Sequence, residues 1–123
     1  MGKMVANAVL DAALNYIKNN AILLVVCKDT PTDYANATGT HDLADVAIEA
    51  ADMTLADGTV SGRKLTISEQ ASITINHSGA ATHIALCSSD ELLYVTTCTS
   101  QQLTAANTVT VPAWRIEIAD PTA

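Results

Sequence analysis

The second half of the chain consists of short segments in which apolar and polar residues alternate, separated by small polar turns. Alternation with a period of two is typical of a β-strand with one side in the core. Strands spaced by about 8–12 residues, with turn signals between them, are typical of all-β sandwiches and barrels. The pattern predicts strands at Arg63–Ile67, Ser72–His77, Thr82–Cys87, Leu92–Thr97, Asn107–Val111 and Trp114–Ile118.

The first half of the chain has a different periodicity. Apolar residues fall on one helical stripe between Met4 and Asn19, which predicts a helix that packs either on its own sheet or on a partner subunit. The apolar run Ala21–Cys27 then predicts a buried first strand. We interpret Lys28–Asp57 as a long irregular segment, in which residues 42–52 form either a helical turn or, as we favour, an extended loop with a short strand.

These elements predict a mainly β fold, namely an antiparallel β-sandwich or flattened barrel with one N-terminal α-helix. We expect a single domain over residues 1–123, in which residues 1–20 hold the helix and residues 21–123 form the β-rich body. A chain of this length buries roughly two thirds of its unfolded surface, which is enough for a hydrophobic core.

The two central hairpins have a predicted register. If 78–81 and 88–91 are loops, position 84 faces positions 75 and 95, and position 86 faces 73 and 93. One face then carries Ile73, Ile75, Ile84, Leu86, Leu93 and Val95, and the opposite, semi-polar face carries Thr74, Asn76, His83, Ala85, Tyr94 and Thr96. Interface cores are depleted in charge and enriched in Tyr, so we predict a subunit-contact surface formed by Thr74, His83, Tyr94 and Thr96.

Composition and charge narrow the choice of partners. Charged residues make up only 15% of the chain, against about 25% in typical domains, which suits a surface partly covered by neighbours. The net charge of −7 disfavours binding to phosphate, so no nucleic-acid partner is expected. The longest apolar run is too short to span a membrane, and the first residues do not resemble a signal peptide. We therefore expect no membrane partner and synthesis in the cytoplasm.

No catalytic, cofactor-binding or metal-binding residues are predicted. The histidines show no metal-ligand spacing, and the register places His77 and His83 on opposite faces. Asp42, Asp45, Glu49 and Asp52 could in principle supply paired carboxylates for glycoside hydrolysis. Aromatic residues are only 3% of the chain, however, so we interpret this acidic run as a solvated face. The cysteines at 27, 87 and 98 are interpreted as buried free thiols.

Four stretches of the chain resemble a family of small structural proteins of tailed bacteriophages. They are Val60–Ile67, Ser78–Leu86, Leu93–Thr97 and Gln102–Val111. The family pattern is G-T-A-T-H-hydrophobic-A-L, then L-Y-V, then a closing L-T-A-G-N-T-V. Ala106 stands here where that last motif has glycine. The resemblance extends from about Asn7 to Pro121 and rests on turn and core patterns.

The resemblance implies a non-enzymatic virion structural protein with no cofactor. The first expectation is a capsid decoration (cement) protein that binds the outer head surface and stabilises it. A tail component (a tail fibre, adaptor or minor tail subunit) is the alternative, and a glycan- or ligand-binding β-sandwich is the second. The expected partners are other virion proteins, the major capsid protein first, with this chain present as a homo-oligomer or in many copies. The expected location is the virion, after synthesis in the host cytoplasm.

Overall fold

The computed structural model describes residues 5–59 and 61–118, and this part of the chain is mainly β. The helices are α1 (Asn7–Asn20) and the short α2 (Tyr34–Thr38), and a single 3₁₀ turn spans Ala50–Asp52. The strands are β1 (Leu23–Cys27), β2 (Asp42–Ala47), β3 (Met53–Asp57), β4 (Arg63–Ile67), β5 (Gln70–Thr74), β6 (Gly79–Cys87), β7 (Leu92–Leu103), β8 (Thr108–Val111) and β9 (Trp114–Ile118).

The strands form three antiparallel sheets. The main sheet has the order β2-β1-β6-β7, the second sheet has the order β3-β4-β9, and β5 pairs with β8. Side chains from all three sheets meet in one hydrophobic core, whose fully buried members include Leu24, Leu43, Leu65, Ile67 and Leu86. This arrangement confirms the predicted mainly β, sandwich-like fold with an N-terminal helix.

The helix α1 packs on its own chain, which settles one of the two interpretations of its apolar stripe. Leu10 and Leu14 are buried, and Leu14 belongs to the common core. An ion pair of 2.8 Å between Asp11 Oδ1 and Arg63 Nε ties the helix to the start of β4. The predicted helix start at Met4 lies outside the described residues.

The prediction that Lys28–Asp57 is irregular is wrong. The segment contains α2, β2 and β3, and only the short strand within residues 42–52 was expected. Pairing along the sheets explains the extra order: β2 pairs with β1, and β3 pairs with β4. The helix α2 begins at a side-chain cap, because Asp33 Oδ1 accepts a hydrogen bond of 2.8 Å from the Asn36 amide.

The first predicted hairpin is also wrong. Both edges of β6 are taken, one by β1 and the other by β7, so β5 pairs with β8 instead. The predicted loop at residues 78–81 is mostly strand, because β6 already begins at Gly79. Gly79 to Ala81 pair with residues 101–103, and this pairing extends β7 well beyond its predicted end at Thr97.

The second hairpin has the predicted loop but a shifted register. Cys87 pairs with Leu92, as the prediction requires, but an irregularity follows, and Leu86 then pairs with Tyr94. An extra residue on one strand moves every later pair by one position. Ile84 therefore faces Thr96 instead of Val95. Tyr94 and Thr96 consequently share the core-facing side of the main sheet, and Val95 lies on the opposite side with Ala85.

The outer face of the main sheet carries a second, smaller core. Its fully buried members are Val25, Cys27, Ala85 and Cys87 from the sheet and Ala37 from α2, which packs over them. Both faces of β1 are therefore buried, which accounts for its continuous apolar sequence and confirms it as a buried strand.

The turn between β7 and β8 has, at residue 106, a backbone conformation typical of glycine, although residue 106 is alanine. Ala106 has a φ of 74°, in the left-handed region where a Cβ atom costs roughly 1–2 kcal/mol. The Ala106 amide donates to the Ile75 carbonyl at 3.0 Å, and this contact holds the turn in place. The backbone conformation at residue 106 is thus the one that glycine adopts without strain.

We expect Ala106→Gly to raise the free energy of unfolding by about 0.5–1 kcal/mol, because relief of strain exceeds the added entropy of the unfolded chain. Urea denaturation of the two proteins measures the difference. Ala105→Gly is the matched control: Ala105 lies in the same turn but is not among the positive-φ residues. We expect Ala105→Gly to lower the free energy of unfolding slightly. If both variants instead raise the free energy of unfolding by the same amount, the backbone at Ala106 is not strained.

Candidate functional site

The predicted subunit-contact surface does not form one face. Thr74 lies on β5, outside the main sheet, while Tyr94 and Thr96 lie on the core-facing side of β7. His83 lies on the outer side of the main sheet, where its Nε2 is 3.1 Å from Thr30 Oγ1. The shift of register in the second hairpin and the different partner of β5 separate these residues. Contact of any one of them with another subunit stays a prediction.

The structure instead points to the free edge of β7. This strand lies at one end of the main sheet and pairs, within residues 5–59 and 61–118, only with β6. It runs for 12 residues, which corresponds to about 40 Å of strand. Its outer backbone N–H and C=O groups form a row that another strand can pair with. The residues that line most of its second half are exposed: Thr97, Thr99, Ser100, Gln101 and Gln102.

β7 is long and lacks the charges and proline that usually protect an edge strand, and the protective feature it does have is an irregularity in its pairing with β6 opposite Ala81–His83. Natural edges are kept short or carry charges and proline, which prevents pairing with another chain. β7 contains no charged residue and no proline. The other edge strands in the described part of the chain span only four to six residues. Three of them also carry charge, since β2 contains Asp42 and Asp45, β3 contains Asp57, and β9 contains Arg115 and Glu117.

A groove runs beside this edge, between β7 and the strands β8 and β9. Two adjoining cavities of about 260 and 270 Å³ share Ile84, Cys98, Val111 and Pro112 in their linings. The groove exists because β7 and β8 belong to different sheets and do not pair. It therefore opens the sandwich toward its core next to the free edge.

Trp114, which lines this groove, stacks on Tyr94. Their ring centroids are 6.0 Å apart and their planes differ by 24°. Trp114 packs against the main core. Its buried indole N–H has no hydrogen-bond partner among the described residues, so an unsatisfied donor lies beside the groove.

A separate cavity lies beside the start of β2. It measures about 340 Å³ and is lined by Lys28, Thr40, Asp42, Leu43 and His77, among others. Asp42 is buried, with a 7% exposed surface, and its Oδ1 has no hydrogen-bond partner in the described structure. The interpretation of the whole acidic run as a solvated face is therefore wrong for Asp42. No feature of the sequence around residue 42 distinguishes it from its less buried acidic neighbours Asp45, Glu49 and Asp52.

The surroundings of Asp42 favour its neutral form. Burial raises the pKa of Asp42 to about 8, and interaction with the nearby Asp45 carboxyl adds to this effect. Asp42 therefore holds its proton at neutral pH. His77 does not supply a compensating hydrogen bond to the carboxyl group, because its Nδ1 lies 2.9 Å from the Asp42 backbone carbonyl oxygen.

The cysteines and histidines do not come together as a site. All three cysteines are free; Cys27 and Cys87 are buried and Cys98 is partly buried. Burial, with a smaller effect of Asp42, raises the pKa of Cys27 to about 12 and that of Cys87 to about 11, so both stay as thiols. Within residues 5–59 and 61–118, no three His, Cys, Asp or Glu side chains are arranged to hold a metal ion. None of the helices in these residues has the length and apolar character needed to cross a membrane.

Comparison of the chain with protein-family models, with curated proteins and with solved structures found no match. The function is therefore inferred from the sequence and geometry of this chain. The feature with the clearest functional meaning is the free edge of β7, since it combines length, exposure and the absence of charge. Sequence analysis missed its second half, although the uncharged run of Thr, Ser and Gln after Thr97 is the signal that marks it.

Proposed function

We propose that this chain is a non-enzymatic structural subunit of a tailed-phage virion, present in many copies as a decoration protein on the outer surface of the head. The observation that carries the proposal is the 12-residue uncharged edge of β7. An edge of this kind is a liability in a protein that stays alone, because it recruits strands from other chains. In an assembly subunit the same edge supplies backbone hydrogen bonds to a neighbour.

The charge of the chain supports an outside position. A net charge of −7 opposes contact with packaged DNA, which carries a dense row of phosphates. The few charged side chains leave much of the surface to Thr, Ala and Ser, which suits a subunit covered by neighbours. The glycine-type conformation of Ala106 is a further, modest support, since the phage family has glycine at that position of its motif.

The stabilising role of such a subunit follows from the thermodynamic linkage between its binding and the assembly of the shell. A protein that binds only the assembled shell shifts the equilibrium toward assembly, and the shift grows with the number of sites filled. The rigid sandwich with its buried core provides the body, and the edge of β7 and the exposed side of α1 provide surface for contacts. Val9 and Tyr16 on that side of the helix are 61% and 55% exposed. The major capsid protein is the favoured partner.

Copy number in purified virions tests this assignment. We expect quantitative gel analysis, normalised to the major capsid protein, to give on the order of hundreds of copies per particle, as coverage of a whole shell requires. Particles that lack the chain should then lose their DNA at a lower temperature than complete particles. A few dozen copies or fewer would move the assignment to the tail, as a fibre, adaptor or minor tail subunit. Absence from purified particles would contradict both.

A further inference from the structure

We propose that β7 pairs antiparallel with β7 of a second copy of this chain, which joins the two main sheets into one continuous sheet about a two-fold axis. The inference rests on the proposed function to the extent that both use the same edge for assembly. It goes further, because it names the occupant of the edge and the geometry of the contact.

The composition of β7 favours a strand like itself. The exposed part of the edge carries Thr, Ser and Gln, without charge. Thr–Thr and Thr–Ser pairs across two strands stabilise a sheet, whereas like charges directly opposite each other destabilise it. A charged partner strand would leave its charges unpaired against this edge. A neutral, threonine-rich strand pairs well with it, and β7 is such a strand.

The two ends of β7 differ in charge, and this difference favours an antiparallel arrangement of the two strands. Asp90 and Glu91 immediately precede the strand, while residues 101–103 at its other end carry no charge. In a parallel pair the two acidic ends would lie side by side and repel each other. In an antiparallel pair each acidic end lies beside the neutral end of the partner strand. The two-fold arrangement also closes, because each copy uses its one free β7 edge.

The groove beside β7 adds contact area to the pairing. Its lining combines apolar side chains, such as Val111 and Pro112, with Thr96 and Thr97 of β7 itself. An added strand extends the main sheet beyond β7 and so covers this opening from the outside. Backbone pairing and burial of apolar surface then act together, as in other cases where a strand is added to a sheet edge.

Lysine substitutions on the edge test the proposal. Sedimentation of the intact protein over a wide range of concentration should show a monomer–dimer equilibrium. Thr97→Lys combined with Thr99→Lys places like charges near the two-fold axis, and we expect it to weaken the dimer by at least about tenfold. The matched control is Thr54→Lys, also an exposed threonine on an edge strand, but on the short β3 of the second sheet. We expect this control to leave the dimer intact.

Hydrogen exchange of β7 provides a second measurement. Amides of the peptide covering residues 92–103 should be protected in the wild-type dimer and lose part of this protection in the double variant. If the double variant fails to fold, Gln101→Lys on the same edge replaces it. The proposal is overturned if the wild-type protein is a monomer at all concentrations. It is also overturned if the lysine substitutions in β7 do not weaken the dimer, or if Thr54→Lys weakens the dimer equally. None of these outcomes changes the copy number in virions, so the virion assignment is tested separately.

Discussion

Ile75→Asp is expected to abolish folding, whereas Thr74→Asp at the neighbouring position is expected to be tolerated. Ile75 is 3% exposed and lies in the common core, and its backbone amide donates to the Asn107 carbonyl at 2.9 Å. Burial of an unpaired carboxylate there costs several kcal/mol, which is comparable with a total stability of about 5–15 kcal/mol. Far-UV circular dichroism and thermal melting of the purified variant measure the loss.

Thr74→Asp is a close control, because it introduces the same charge one residue away. Thr74 is exposed, and surface substitutions usually change stability by less than about 0.5 kcal/mol. The wild-type and Thr74→Asp proteins should therefore melt at nearly the same temperature. If the Ile75→Asp and Thr74→Asp proteins melt at the same temperature, Ile75 is not buried as described.

Asp42→Asn is expected to make the protein more stable in alkaline solution and to have little effect in acid. In the folded state the pKa of Asp42 is raised from 3.8 to about 8 by burial and by Asp45. Between these two values the folded state binds the proton more strongly than the unfolded state does. The free energy of unfolding contributed by this group is therefore full at low pH and falls as the pH rises toward 8. Asparagine removes that loss.

The size of the effect follows from the shift. One pKa unit corresponds to about 1.4 kcal/mol, so a shift from 3.8 to about 8 sets an upper limit of about 6 kcal/mol, and we expect the variant to gain several kcal/mol near pH 9. Urea denaturation at a series of pH values measures it. Lys28 and His77 line the same cavity, Asp45 lies beside Asp42, and the thiols of Cys27 and Cys87 are close enough for Asp42 to affect their pKa values. The difference between variant and wild type isolates Asp42 from these groups.

Asp29→Asn is the matched control for charge. Asp29 is exposed, and its substitution removes one carboxyl group, as Asp42→Asn does. Its φ of 53° suits asparagine, which tolerates the left-handed region. The pH dependence of this control should match that of the wild type. If Asp42→Asn also follows the wild-type curve from acid to alkaline pH, then Asp42 is solvated in the folded protein.

Local pattern was enough to predict several elements of this protein. The bounds of β4 and β9 agree with the predicted Arg63–Ile67 and Trp114–Ile118, and the loop at residues 88–91 is where the sequence placed it. The helical spacing of apolar residues predicted the helix α1, in which Leu10 and Leu14 are buried. These features depend on which residues alternate and on where turn residues interrupt the alternation, and both are local properties of the chain.

The pairing of strands was decided only by the tertiary structure. Many strands share the same alternation of apolar and polar residues, so the pattern does not say which of them become neighbours. Here β1, from the far end of the sequence, lies between β2 and β6, and β5 pairs with β8. The irregularity next to Cys87, one of two in the pairing of β6 with β7, then moved Tyr94 to the core side, because side chains alternate with a period of two.

The candidate edge and the burial of Asp42 also depended on the tertiary structure. The sequence shows that residues 92–103 carry no charge, but only the tertiary structure makes them one long strand at the free end of the main sheet. The sequence likewise shows an acidic run, and only the packing around β2 buries one carboxyl of that run. Composition and alternation set which elements form, whereas exposure of an edge or burial of a charge depends on which distant segments pack against it.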